Sequence, residues 1–311
     1  MRKEVTVVIG EALIDVVRDV RGGIAEYVGG SPLNVAIGLA RLDHPVSFVT
    51  RVGEDARGDR ICAHLEASDV QLAAGSVTAC RTATAQATLD SAGSATYEFD
   101  IDWDLEGMQQ PPPPRCAHTG SIAGVMEPGS TAVAELLDNY RGSATISYDP
   151  NVRPDLFDDA PNARERIRKL VSLADIVKVS DEDLRWFDPA DEPETTAQQW
   201  LSSGVAVVVV TAGADGAFAL SDAGRVDVTA RNVQVVDTVG AGDAFMAGLL
   251  DGFAAQDLLG ADRRDLLRAV DRSTLLDVMT NATTASALTV SKAGADLPTR
   301  RMLTDAVGLQ R

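Results

Sequence analysis

Between residues 235 and 250 the chain reads VVDTVGAGDAFMAGLL, an apolar run broken by two carboxylates and several small residues. The pattern predicts a strand ending at Val236 and a helix starting near Gly242, with Gly240 and Gly242 at the junction. Glycines let backbone N–H groups approach an anion with no Cβ in the way. A helix N-terminus adds unpaired donors and a partial positive charge. Such a junction is a cradle for a phosphate or a developing oxyanion. Asp243, in the first helical turn beside it, is placed to handle a proton or a cation. Taken alone, it would simply complement the helix dipole. Strand, paired glycines and carboxylate together favour the phosphate cradle.

Four further clusters could carry chemistry. In GGSPLNVAIGLARL (29–42), Ser31 suits an N-cap and Pro32 the first helical position. Gly29 and Gly30 leave room for a ligand, and Asn34 offers donors and an acceptor to a hydroxyl. An ordinary capped helix explains the same letters as well. In GEALID (10–15), Glu11 and Asp15 follow the first apolar run. Ligands of open α/β sheets bind outside the carboxyl ends of the strands, and carboxylates there accept hydrogen bonds from polyol hydroxyls. Solvated acids of a hairpin are the alternative. In DPNVRP (149–154), Asp149, Asn151 and Arg153 put a carboxylate, an amide and a guanidinium at another strand end, where Arg suits phosphate or carboxylate. A proline-bracketed turn reads the same way. VTAGADGA (210–217) is a glycine-punctuated turn between strands.

Elements with the right spacing to hold these clusters are present. Buried strands are expected at 5–10, 46–53, 144–149, 175–180 and 205–213, and helices at about 32–42, 57–67, 129–140, 161–173, 194–203 and 242–256. Continuous apolar strands alternating with helices indicate an α/β fold: a doubly wound, mostly parallel sheet with helices on both faces. Two stretches break the rhythm. Residues 14–28 read as a hairpin, and TATAQATLD and ATYEFDI flank a turn within 82–101. In the latter, Tyr97, Phe99 and Ile101 alternate with Glu98 and Asp100, which marks a sheet with one face covered. These strands are expected to form a small β lid, from insertions at about 12–28 and 71–105 of a single domain spanning 1–311. The apolar lid face would cover the chain's own active site or bury itself against a second subunit. The tetraproline at 111–114 is a stiff connector.

Composition narrows the partners. With 311 residues, of which 45% are hydrophobic and 5% aromatic, Val, Ala and Leu must fill most of the core. A formal charge of −18 excludes nucleic acid and anionic membrane surfaces as partners, though not small anions held by local donors. Cys62, Cys80 and Cys116 are scattered and without CxxC spacing, as expected of reduced thiols, and His44, His64 and His118 outline no zinc site. The N-terminal apolar run is too short for a signal peptide, and no run approaches the roughly 20 residues of a membrane span. A soluble, cytoplasmic protein is expected.

In this order, the motifs resemble the ribokinase-like carbohydrate kinases of the PfkB family. DTVGAGDAF (237–245) is similar to the C-terminal signature of that family, GGSPLNVAIGLARL to its N-terminal one, and RVGEDARGD (51–59) to the Gly-x-Asp-x-x-Gly stretch between them. The resemblance runs from about residue 5 to 298. It implies an ATP-dependent phosphotransferase with a β-sheet lid, acting on a small sugar and using ATP and Mg²⁺. Asp243 would be the base, and Gly240, Ala241 and Gly242 the anion hole. Asp15, Gly30 and Asn34 would contact the sugar, with Arg153 near phosphate or substrate. Thr211, Gly213 and Gly216 would border the nucleotide, and Asn281, in NATTASALTVSKAGADLP (281–298), would contact adenine. Several members use a monovalent cation such as K⁺; the matching positions are Asp237 and Thr238, with the backbone of 292–295. Some relatives dimerise through the lid.

One departure stands out. Where many members carry Asn-x-x-Glu for magnesium and phosphate, this chain has SDED, with Ser180 for Asn and Asp183 for Glu. Asp183 would act on Mg²⁺ through water, as that ion usually keeps several. KVSDED is similar to the KVSDEE of some sugar kinases. With GE after the first strand and DPNxR, it resembles fructokinases more than ribokinases or adenosine kinases; keto-deoxygluconate kinases share part of the set. A dinucleotide-dependent oxidoreductase would need Gly-x-Gly-x-x-Gly after the first strand, and IGEALID lacks it. A non-catalytic sugar or nucleotide sensor would have a damaged anion hole or no base, and both are intact.

Overall fold

The computed structural model describes residues 5–18, 23–89, 95–156 and 159–308. In chain order the strands are β1 Thr6–Ile9, β2 Leu13–Arg18, β3 Ile24–Gly29, β4 Val46–Val49, β5 Val52–Gly53, β6 Gln71–Leu72, β7 Val77–Thr78, β8 Thr84–Leu89, β9 Ala95–Asp100, β10 Cys116–Gly120, β11 Thr145–Asp149, β12 Ile176–Ser180, β13 Val207–Thr211, β14 Ala217–Ser221 and β15 Gly224–Val228. The α-helices are α1 Ser31–Arg41, α2 Ala56–Glu66, α3 Gly129–Tyr140, α4 Ala160–Leu173, α5 Asp181–Phe187, α6 Pro193–Ser202, α7 Ala241–Ala255, α8 Arg264–Arg268, α9 Arg272–Val290 and α10 Arg300–Gly308.

Among the described residues the large sheet has nine strands in the order β15-β14-β13-β12-β11-β10-β1-β4-β6. It is parallel from β13 through to β6, and β14 and β15 close one edge antiparallel. Alternate strand residues face opposite layers, so the all-apolar strands build two cores. Val8, Phe48 and Val209 pack under helices α1, α2, α7 and α9, whereas Val7, Ile9, Ile146, Val208 and Val210 pack under α3 to α6. This is the doubly wound arrangement expected from the strand–helix alternation.

The small sheet is separate, in the order β3-β2-β8-β9, with β2 and β8 parallel and both outer pairs antiparallel. Both hairpins read from the sequence are present in it. Gln71 and Leu72 lie instead at the edge of the large sheet, beside β4. Phe99 and Ile101 turn inward, onto a cluster of Leu13, Ala83, Ala85 and Ile122 of the same chain. The tetraproline carries no regular secondary structure and precedes β10, and the Tyr140 hydroxyl donates to the Pro111 carbonyl at 2.8 Å.

Several elements were not legible as such. β10 (CAHTG) lacks a β-branched run, yet its five residues are buried at the centre of the sheet. α5 begins inside the SDED motif. α9 covers the first part of the segment expected to line adenine; Ala, Thr and Ser on several faces blur its amphipathic period, because it packs between α7, α10 and the sheet edge. Cys62, Cys80 and Cys116 are free thiols, and no helix of the described residues is long and apolar enough to cross a membrane.

Candidate active site

The strands β11, β12 and β13 end side by side, which places Asp149, Ser180 and Thr211 along the carboxyl edge of the large sheet. The N-terminus of α7 meets this edge. Gly240 caps the helix in the left-handed region (φ 76°), a conformation that favours glycine, and Ala241 and Gly242 form the first turn. A Cβ at Gly242 would come 3.0 Å from Lys178 Nζ, so the absent side chain leaves the ammonium next to the cradle.

Asp243 is 7% exposed and fixed from two sides. Ser31 Oγ donates to its Oδ1 at 2.6 Å, and Asn34 Nδ2 donates to its Oδ2 at 2.7 Å. Ser31 therefore does not cap α1 as expected: it is the first helical residue, Gly30 is the N-cap, and the hydroxyl serves the carboxylate of another helix. Burial raises the pKa of Asp243, against the pull of the Ser31 and Asn34 hydrogen bonds and of Lys178 and Arg153. A carboxylate with two fixed donors and a raised affinity for a proton has the attributes of a general base.

Lys178 was not singled out from the sequence. It lies in β12, 4% exposed, with Nζ donating to Asp149 Oδ2 at 2.9 Å. Burial works against its charge, but Asp149, Asp183 and Asp243 outweigh that and hold its pKa above the ordinary lysine value. Asp149 is itself pushed up to about 6 by burial, despite Lys178. Its Oδ1 is buried with no hydrogen-bond partner. The signal was available: a lysine inside IVKVS, in a strand otherwise built for a parallel core, must find a partner.

The acids at the other end of the site line β1 and β2. Glu11 is 2% exposed, accepts the Ala123 amide at 3.1 Å, and is pushed by burial to about 7. Asp15, on β2, is raised to about 6 for the same reason, with Arg153 pulling it down. Gly30 and Asn34 lie at the α1 turn between these acids and Asp243. Arg153 is exposed and folds onto its own loop, where Nη1 donates to the Asn151 carbonyl and side-chain oxygens at 3.0 and 2.8 Å. Its positive field reaches Glu11, Asp15 and Asp243.

Ser180 and Asp183 form a capping box on α5: Ser180 Oγ accepts the Asp183 amide at 3.0 Å, and Asp183 Oδ2 accepts the Ser180 amide at 3.4 Å. Asp183 Oδ1 also accepts the Val152 amide at 3.0 Å. The SDED motif thus has a local structural role, with Asp183 close enough to influence both Asp149 and Lys178. Gly213 and Gly216 bracket the tight turn after Thr211. Asp237 accepts the amides of Val239 at 3.0 Å and Gly294 at 2.8 Å, which lower its pKa and join the loop carrying Thr238 to the 292–295 segment. Asn281 is not brought to this site. Its amide donates to the Gly248 carbonyl and to Asp251, an acid also held by His44 and Arg300, and so serves the packing of α7 on α9.

The sequence from residue 3 to residue 301 matches the model of the pfkB family of carbohydrate kinases, and the chain belongs to that family. It is an ATP-dependent carbohydrate kinase, a class whose chemistry suits the paired cradle and base. A fructokinase of Rhizobium leguminosarum bv. trifolii is 36% identical over 270 residues, which cover 80% of each chain. The crystal structure of a Xylella fastidiosa fructokinase with bound ATP superposes with a TM-score of 0.87 at 27% identity, covering 99% of both chains. A Vibrio cholerae fructokinase double mutant, in its fructose, ADP and potassium ion bound form, gives a TM-score of 0.79 at 27% identity, covering 97% of this chain and 98% of that one.

Proposed function

We propose that the protein is a cytoplasmic fructokinase that moves the γ-phosphoryl group of ATP to a hydroxyl of fructose. The observation that carries the catalytic part is Asp243, buried at the N-terminus of α7 and held by Ser31 and Asn34. The sugar oxygen attacks the γ-phosphorus while its proton passes to Asp243. The bond from that phosphorus to the bridging oxygen breaks, and its electron pair leaves on ADP. Each oxygen of Asp243 accepts one fixed hydrogen bond and keeps a lone pair for that proton. Gly240, Ala241 and Gly242 offer amides to the transferring group, and Lys178 supplies a fixed positive charge beside them.

Asp15 accepts from sugar hydroxyls, Gly30 lets the sugar approach, and Asn34 both steadies the base and reads a hydroxyl with its remaining atoms. Arg153 balances the acids at the mouth. Thr211, Gly213 and Gly216 border the nucleotide, next to Ser180. The donor set suits Mg²⁺: it consists of carboxylate oxygens, and the orphaned Oδ1 of Asp149 beside Asp183 is a buried acceptor in want of a partner. Asp183 and Asp149 would hold the ion, in part through water, and bound there it would neutralise phosphate charge. No group of three acidic, His or Cys side chains gathers among the described residues, so phosphate oxygens and water would complete the coordination. A potassium ion by Asp237 and Thr238 belongs to the same reading, supported by the join to Gly294 and by the potassium form of the Vibrio cholerae enzyme.

The small sheet acts as the lid of one domain. With Phe99 and Ile101 turned onto their own chain, Tyr27, 59% exposed on the same face as Asp15, is the residue offered to a second subunit. Sedimentation at micromolar concentration should show a dimer, and a monomer removes that part. The decisive experiment for the substrate is ADP release over fructose, ribose and keto-deoxygluconate. Fructose should have the highest kcat/KM, and a preference for either other sugar overturns the assignment.

A further inference from the structure

The RVGEDARGD stretch has no part in the reaction just described, yet it touches both insertions that build the small sheet. Asp55 is the N-cap of α2, its Oδ1 accepting the amides of Arg57 at 3.0 Å and Gly58 at 2.9 Å. The same carboxylate reaches across to the entry of β8. Oδ2 accepts the Thr82 amide at 2.9 Å, and Thr82 Oγ1 donates to Oδ1 at 2.7 Å while accepting the Gly53 amide at 3.2 Å. These donors, the Thr82 amide foremost, hold the Asp55 carboxyl down to about 2. Within the next turn, Arg57 Nε and Nη2 donate to Glu26 Oε1 at 3.1 and 2.5 Å. Arg60 Nη1 donates to Glu26 Oε2 at 2.5 Å, and its Nη2 to the Glu26 carbonyl at 2.9 Å.

Glu26 lies within β3 and Thr82 just before β8, and these two strands flank β2, the strand that carries Asp15. One helix therefore grips the small sheet on both sides of the residue assigned to the sugar. Ile61, further along α2, packs in the same core as Ile14 and Val16 of β2.

We infer that the first two turns of α2 are the mount that sets the height of Asp15 over the sugar. Asp55, Arg57 and Arg60 are positioning residues for sugar binding, acting through Thr82 and Glu26 without touching the substrate. This rests on the reading of Asp15 as a sugar contact.

The test separates positioning from helix capping. Asp55→Ser keeps a good N-cap but is too short to hold Thr82 as well. Glu26→Ala releases β3 while leaving α2 and its cap whole. With the best sugar from the substrate panel, each variant should raise the sugar KM about fivefold, and the pair about twentyfold or more. The ATP KM and kcat should stay within twofold. Amide hydrogen exchange over residues 13–18 should quicken in the sugar-free variants. Sugar KM values within twofold of wild type, or equal rises for sugar and ATP, overturn the inference. Should Asp55→Ser not fold, Glu26→Ala and Thr82→Val decide by the same criterion. A wild-type protein that phosphorylates no sugar sinks the functional reading, and the mount as a sugar-positioning device with it. Normal wild-type turnover with insensitive variants sinks the mount alone.

Discussion

The carboxyl edge of the large sheet and the small sheet above it are built on opposite principles. At the edge, Asp149, Lys178 and Asp243 are buried, and burial raises the pKa of both acids. In the small sheet the anchors are at least partly exposed: Glu26 has its pKa lowered, chiefly by Arg57, and Asp55, at the mount, is lowered to about 2 by donated amides. The first region keeps two carboxylates where burial disfavours their charge and a lysine whose charge they sustain; the second uses charge to hold a shape. On the proposed reading, the phosphoryl chemistry is set within a packed core, and the grip on the sugar rests on a sheet fastened at its rim.

The sharpest way to break the contrast is at Asp243. Asp243→Asn should lower kcat by at least ~10²-fold, the scale of a lost general base, with ATP affinity by calorimetry within about threefold. Near-normal turnover would leave the reactive half of the comparison without its base. Lys178→Met comes next. Losing a fixed charge from an anion hole should cost about 10²-fold in kcat, with fructose affinity little altered; a rise in sugar KM at constant kcat would move Lys178 to the other region.

Asp15 sharpens the sugar side. Protonated, it accepts fewer hydrogen bonds, so kcat/KM for the sugar should fall as pH drops through about 6, the value to which burial raises Asp15. Asp15→Asn should raise sugar KM about tenfold, in line with a lost charge-assisted bond, and weaken that acidic limb. A pH profile unchanged in the variant would assign the limb to another group.

Glu11 gives the smallest effect, and it is on stability. Its pKa of about 7 in the folded chain exceeds the ordinary 4.5, so the folded state binds the proton more tightly. Its contribution is fully present below about 4.5 and is lost as pH rises to and beyond 7. Glu11→Gln should match wild type at pH 4 and gain up to about 3 kcal/mol at pH 8, roughly 5 °C in melting temperature. Equal melting curves at pH 8 would show Glu11 to be less confined than its burial indicates.

The two regions also differed in how far the sequence revealed them. Glycine, helix start and carboxylate of the α7 cradle were readable because they lie within a few consecutive letters, but the strand expected to end at Val236 does not form: β15 ends at Val228, and Val235 and Val236 are exposed. The lid hairpins were readable from turn letters and alternation. Lys178 escaped because its meaning lies in a partner 29 residues away, Asp149. Ser31 was misread because a local rule, capping, competed with a contact from α7 that no local pattern encodes. Asn281 was assigned by resemblance alone, and its amide is spent on α7 instead. RVGEDARGD is legible only as a resemblance; the fold alone brings Thr82 and Glu26 to the start of α2.

The bonds that fix Asp243 join residues 212 and 209 positions apart in the chain. During synthesis the described strands through β15 precede α7, so the sheet can be assembled before the base exists. When α7 arrives, its carboxylate becomes competent only by docking on the turn of α1 made at the outset. Chains that end before α7 lack that carboxylate altogether, and on the proposed mechanism turnover reports that the first and last thirds of the molecule have found each other.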